Sequence, residues 1–153
     1  MLIDSGNEQD GYYIVQFLKA QNIGKIDYFI LTHCDEDHIG GAYKILAELQ
    51  IGTLYMPNKE NDTQTYERLL NAIERNNVNV NKNLKVSKET QYTIGNASWK
   101  ILSFDAEKNL NDSSIVIELE YGNTKYLLAI FFERKYRIAF FFNSYEYEVI
   151  QIV

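Results

Sequence analysis

The chain has 153 residues, 46% of them hydrophobic and 24% charged, which suits a single soluble domain able to bury a core. A net charge of −6 and a pI near 4.9 exclude a broad, nonspecific nucleic-acid surface. They leave a nucleotide or phosphodiester substrate open, because a bound metal reverses the local charge. The one cysteine, Cys34, rules out an internal disulfide, and no basic-then-apolar leader opens the chain, so cytoplasmic residence is expected. No membrane span is expected, since Glu133, Arg134, Lys135 and Arg137 interrupt the apolar stretch from Tyr126 to Phe142.

Met1 to Ile3 reads as the end of a strand, stopped by the turn formers Asp4-Ser5-Gly6-Asn7. From Glu8 the apolar residues Ile14, Phe17 and Leu18 recur at helical spacing until Gly24 ends the pattern. Tyr28 to Leu31 is a continuous apolar run, as in a strand buried on both faces. A polar loop follows, then a helix with Ile45, Leu46 and Leu49 inward, then a strand from Thr53 to Met56 ending at the only proline, Pro57. A further helix is predicted from about Thr63 to Arg75, with Tyr66, Leu69, Leu70 and Ile73 on one face and Asn61 or Asp62 as its cap. The Asn-rich patches at 58–62 and 76–83 read as surface loops.

The pattern then changes to strands: 84–86, 91–94, 98–104, 115–121 and 125–129, with hairpin turns at Gly95-Asn96 and Gly122-Asn123. Strand and helix alternate in the first half, and the second half is antiparallel. The expected fold class is therefore an α/β sandwich with the polar loop at the C-terminal end of a strand, a common place for chemistry.

That loop carries the strongest chemical signal: Thr32-His33-Cys34-Asp35-Glu36-Asp37-His38-Ile39-Gly40-Gly41. Two imidazoles and two carboxylates within six residues form a donor set suited to Zn, Mn or Fe. His33 and His38 are the only histidines, so remaining ligands must be carboxylates, water or substrate. The competing reading is a polar loop in which Asp35 or Asp37 merely caps the following helix. Cys34 reads as a small, inert thiol whose side chain alternates away from its neighbours in an extended loop. Trp99 and the Tyr-rich strands read as core and sheet surface, and Lys82, Lys85 and Lys88 as a solvated face.

Together, Leu2-Ile3-Asp4-Ser5-Gly6 and the stretch from His33 to His38 resemble two motifs of the metallo-β-lactamase superfamily. The superfamily loop usually reads His-x-His-x-Asp-His; here Asp35 stands at the second His position. That variant, with Ile39-Gly40-Gly41 after it, is similar to the branch of the ComEC/Rec2 competence-protein hydrolase domain. The runs 111–117 and 120–124 also resemble that branch, and the likeness covers Met1 through about Ala129.

The resemblance implies a metallo-β-lactamase-like αββα sandwich, here incomplete, holding one or two divalent ions, Zn or Mn. His33 and Asp35 would serve one ion, and Asp37 and His38 the other. Asp37 would also orient the attacking water, as the catalytic residue. Asp4 would sit beneath the loop, fixing a ligand rather than binding metal, although its bland reading is an ordinary turn residue. Asp112, or its neighbour Asn111, stands near where another ligand would arise. The implied activity is metal-dependent hydrolysis, with a phosphodiester or nucleotide as substrate. The alternative is a noncatalytic remnant or dimerising module of the same fold.

The chain also departs from the family pattern. It begins almost on the Asp-Ser-Gly motif, has Ile130-Phe131 where a Gly-Asp pair is expected, and has no later His. The expected division is a partial domain over 1–129 and a divergent aromatic tail over 130–153, with truncation at both ends. Either a frameshift produced the tail, or Arg137–Phe142 and Tyr145–Val153 form a diverged strand pair closing a shortened sheet. Exposed sheet edges or the Phe-rich tail make a homodimer the expected assembly.

Overall fold

A computed structural model of the chain describes residues 1–82, 91–103, 114–130, 137–143 and 146–151. The chain divides into two compact units, Met1–Asn83 and Leu84–Val153. The fold class is α/β with two sheets, as expected. No helix among the described residues is long and apolar enough to cross a membrane.

The first unit runs β1 (Leu2–Ile3), α1 (Glu8–Ala20), β2 (Lys25–Ile30), α2 (Glu36–Ile39), α3 (Ala42–Glu48), β3 (Gln50–Tyr55), α4 (Gln64–Arg75) and β4 (Val80–Asn81). Its four strands lie in the order β1-β2-β3-β4, all neighbours parallel, so all four C-terminal ends share one edge. Phe29, Ile30 and Leu31 are all buried, and since consecutive strand residues face opposite sides, β2 is buried on both faces here. Phe29, Leu31, Leu54 and Met56 join Val15 of α1, Ile45 of α3 and Leu69 of α4 in one apolar core.

Several sequence expectations need correction in this unit. Phe17 is 64% exposed and Leu70 is exposed as well; Val15 and Ala72 take the inward positions, because the buried arc of each helix is rotated toward them. Helix α4 is capped by Thr63, whose Oγ1 accepts the Tyr66 N–H at 3.3 Å, not by Asn61 or Asp62. Asn61 instead donates its Nδ2 to the Cys34 carbonyl at 3.0 Å. The run 76–83, read as a loop, contains β4, paired through Leu54↔Val80 and Tyr55↔Asn81. A two-residue strand is too short for periodicity to reveal it.

The second unit is an antiparallel sheet of β5 (Tyr92–Ile94), β6 (Ala97–Ser103), β7 (Val116–Tyr121), β8 (Thr124–Ile130), β9 (Arg137–Asn143) and β10 (Glu146–Gln151), in the order β10-β9-β8-β7-β6-β5. The two predicted hairpins are present, with Gly95 at φ 56° and Gly122 at φ 58°. A positive φ at the first of two turn residues is what a type II′ hairpin requires, and glycine adopts it freely. Trp99 is 1% exposed and stacks on its cross-strand partner Tyr92, with ring centroids 4.3 Å apart. In the tail, the backbone follows the strand-pair reading: β9 pairs with β8 and β10 with β9. The strand expected at 84–86 lies outside the described residues.

Candidate metal centre

The site is assembled where β1 and β2 end. Ladder bonding continues one residue past β1, with the Asp4 N–H donating to the Ile30 carbonyl at 2.8 Å. Asp4 then turns into the left-handed region, φ 56°, which costs a non-glycine residue on the order of 1–2 kcal/mol. Three hydrogen bonds offset that cost. Oδ1 accepts the Thr32 N–H at 2.7 Å, and Oδ2 accepts the Thr32 hydroxyl at 2.7 Å and lies 2.9 Å from His38 Nδ1. The adjoining Ser5, fully buried, donates both its N–H (2.8 Å) and its Oγ (2.7 Å) to the His38 carbonyl. Asp4 is thus a support beneath the loop, gripping His38 by the ring while Ser5 grips it by the backbone.

The loop itself makes one helical turn that periodicity did not reveal. Asp35 stands at the N-cap of α2 with its carbonyl accepting from His38 and Ile39, while its side chain makes no capping bond. Asp35 caps through its backbone, so the carboxylate remains available for other work. The glycine pair has a steric origin: a Cβ on Gly41 would lie 2.5 Å from Gly11 Cα and from the Ser5 carbonyl, and one on Gly40 would lie 2.8 Å from the Glu8 nitrogen. Only glycines let the loop close onto the start of α1.

This folding brings the four candidate ligands together as two imidazole–carboxylate pairs. His33 Nδ1 lies 3.5 Å from Asp35 Oδ2, and His38 Nε2 lies 3.6 Å from Asp37 Oδ2. The two imidazoles are perpendicular, with centroids 5.4 Å apart. Both rings are buried, with side-chain exposures of 8% and 7%, whereas the Asp35 and Asp37 carboxylates are 44% and 52% exposed. With Asp4 accepting at Nδ1, the neutral His38 ring carries its hydrogen there and its lone pair on Nε2, on the Asp37 side.

Among the described residues, no three His, Cys, Asp or Glu side chains converge as a complete cage. The donor set, two neutral-capable imidazoles beside two carboxylates, still fits a divalent transition metal, with water or further groups completing each shell. Asp112 and Asn111 lie outside the described residues. Cys34 is not a donor here: it is buried, its Sγ lies 3.8 Å from the Lys59 carbonyl, and burial, helped by Asp35, pushes its thiol up to about 11.

Thr32 and Ser5 flank the ligand motifs in the sequence, but nothing local marked them as members of the network. Their role arises from contacts 28 and 33 residues apart along the chain. Lys82, read as part of a solvated face, is half-buried at the end of β4.

The sequence matches the metallo-beta-lactamase superfamily over residues 1–129. It is 29% identical over 117 residues to ComE operon protein 3 of Bacillus subtilis (strain 168), covering 75% of this chain and 15% of that protein. The chain therefore spans a small part of that relative's length. Among solved structures, CmlA, a diiron beta-hydroxylase from Streptomyces venezuelae, is similar with a TM-score of 0.42 and 18% identity, covering 68% of this chain and 20% of that one. A mutant of CmlA beta-hydroxylase gives a TM-score of 0.43 and 19% identity, over 69% of this chain and 21% of the other.

Proposed function

The chain belongs to the metallo-β-lactamase superfamily, and on that premise we propose that it is a metal-dependent hydrolase acting on a phosphodiester, of nucleic-acid or nucleotide type. The observation that carries this reading is His38, held at Nδ1 by Asp4 with its Nε2 beside Asp37, next to the second pair His33–Asp35. The likeness to ComE operon protein 3 supports the resemblance to the ComEC-related branch, from which the phosphodiester assignment is drawn by analogy.

In this proposal His33 and Asp35 hold one divalent ion, Zn or Mn, and Asp37 and His38 hold a second or complete the first. Such an ion, when bound, lowers the pKa of water toward neutrality and neutralises charge on the group being cleaved. The protein's own residues do the positioning. Asp4 keeps the His38 ring in one tautomer and orientation, Ser5 holds the His38 carbonyl, and Thr32 holds the Asp4 carboxylate. Asp37, the more exposed carboxylate, orients the attacking water by accepting its hydrogen bond.

The test is metal content by elemental analysis of protein purified without chelator, beside His38→Ala, followed by hydrolysis of bis(p-nitrophenyl) phosphate with Asp37→Ala as control. The expected outcome is Zn or Mn in the wild type, depleted in His38→Ala, and turnover lost in Asp37→Ala. No metal after incubation with excess Zn and Mn would sink the reading and leave the noncatalytic alternative; equal rates with and without Asp37 would remove its assigned role.

A further inference from the structure

Four parallel strands put four loops on one edge. Beyond β1 stands Asp4, beyond β2 the stretch Thr32–His38, beyond β3 the segment Pro57–Asp62, and beyond β4 Lys82. The alignment is tight. Leu31 N–H donates to the Tyr55 carbonyl at 2.8 Å, and Met56 N–H to the Asn81 carbonyl at 3.4 Å, so the exits from β2, β3 and β4 are laced side by side. The β3 exit folds back over the loop, with the Lys59 carbonyl 3.8 Å from the Cys34 thiol and Asn61 bonded to the Cys34 carbonyl.

The charge on this edge is lopsided. Its described loops carry Asp4, Asp35, Glu36, Asp37, Glu60 and Asp62, against Lys59 and Lys82. Acids suit a cation, but they repel an anionic ester. A phosphodiester carries a negative charge on its non-bridging oxygens, and a fixed positive charge where those oxygens arrive adds to what a bound ion neutralises. Lys82 is half-buried rather than waving in solvent. It follows Asn81, whose carbonyl accepts the Met56 N–H, on the strand two places from the one that leads into the loop.

We propose that Lys82 is the anion-receiving residue of this site, a specificity determinant that binds the non-bridging oxygens of a phosphoryl group presented to the His33–His38 loop. This deepens the hydrolase reading and rests on it for the substrate class. A lysine suits the role because a compact ammonium on a flexible stem follows a phosphoryl group without demanding a bidentate geometry. The edge then presents both signs of charge, from different strands.

The experiment titrates the protein as purified with inorganic phosphate and follows the ¹H–¹⁵N shifts of the 32–38 amides, with chloride at matched ionic strength as the control. Lys82→Gln is expected to weaken phosphate about tenfold, the size of one lost charge-assisted hydrogen bond, and Lys82→Arg to stay within about twofold of wild type. Thermal unfolding of each variant confirms that the fold is kept. The same dissociation constant for wild type and Lys82→Gln, or no saturable shift in the wild type beyond that given by chloride, overturns the proposal. The hydrolase reading fails separately, by absence of metal and of bis(p-nitrophenyl) phosphate turnover, while Lys82-dependent phosphate binding persists. Where turnover is present, Lys82→Gln is expected to raise KM about tenfold with kcat little changed, and a fall in kcat at constant KM counts against a binding role.

Discussion

The two units handle polar side chains in opposite ways. In the first, Asp4, Ser5, Thr32, His38 and Asn61 turn inward and bond across loops to residues far along the chain. In the second, the charged residues pair across neighbouring strands, as Lys100 does with Glu118 at 2.7 Å and Lys125 with Glu120 at 3.4 Å, while Trp99, Ile101 and Ile117 are buried. The difference follows from strand direction. Parallel strands need crossovers, so their C-terminal ends accumulate loops able to converge on one point, whereas the β5–β6 and β7–β8 hairpins turn in two residues. The candidate ligands His33, Asp35, Asp37 and His38 lie in the first unit, while the described charges of the second pair across its strands.

The comparison is broken most severely at the glycine contact. Gly41→Val places a side chain against the backbone of Gly11 and Ser5, and a loss of about 3 kcal/mol or more in urea unfolding is expected. The same change at Gly95, where a Cβ meets nothing within 4 Å, meets only the backbone strain of its positive φ and should cost far less. Next in size is Asp4→Ala, which leaves the Thr32 N–H, the Thr32 hydroxyl and His38 Nδ1 without their shared acceptor; about 2–3 kcal/mol is expected by chemical denaturation. If the metal proposal holds, elemental titration of that variant should also show metal affinity reduced about 10–100-fold. Equal stability in wild type and Asp4→Ala would mean that the network is incidental.

A smaller effect is expected at Thr63→Ala, about 1 kcal/mol from loss of the α4 cap, readable as a shift in the urea midpoint without change in m. The smallest belongs to the second unit. A hydrogen bond from Lys100 is the largest of the influences that lower the Glu118 carboxyl below the usual glutamate range, with the Lys100 and Lys125 charges adding to it against burial. A lowered folded-state pKa adds stability above the unfolded value, and that stability is lost as pH falls through the folded value. Glu118→Gln should therefore cost less than about 1 kcal/mol at pH 7 and flatten the acid limb of the stability curve below about pH 4.5, leaving pH 6–8 parallel to wild type. An acid limb unchanged by the substitution would show that the pair is solvated.

The candidate site is legible in the sequence because its residues are local. His33, Asp35, Asp37 and His38 lie within six consecutive residues, and a strand followed by a helical turn brings them together whatever the rest of the chain does. The α/β class was legible for a similar reason, since apolar periodicity switches once, near residue 76, from strand–helix alternation to short strands and glycine hairpins. Phe17 and Leu70 were misjudged because spacing defines an apolar arc without saying where its centre faces. The cap of α4 was misplaced because Asn61, Asp62 and Thr63 are all good caps, and a distant carbonyl, that of Cys34, claimed Asn61.

The sequence by itself determined the candidate donor residues, the order of the longer elements and the glycines on which the loop depends. Tertiary structure alone decided which groups serve those donors: that Asp4 reaches His38, that Ser5 holds its carbonyl and Thr32 holds Asp4, and that Lys82 ends on the same edge. Each of these contacts joins residues separated by a whole strand or helix. Their meeting is set by the parallel register of β1 to β4, which no local pattern of residue types encodes.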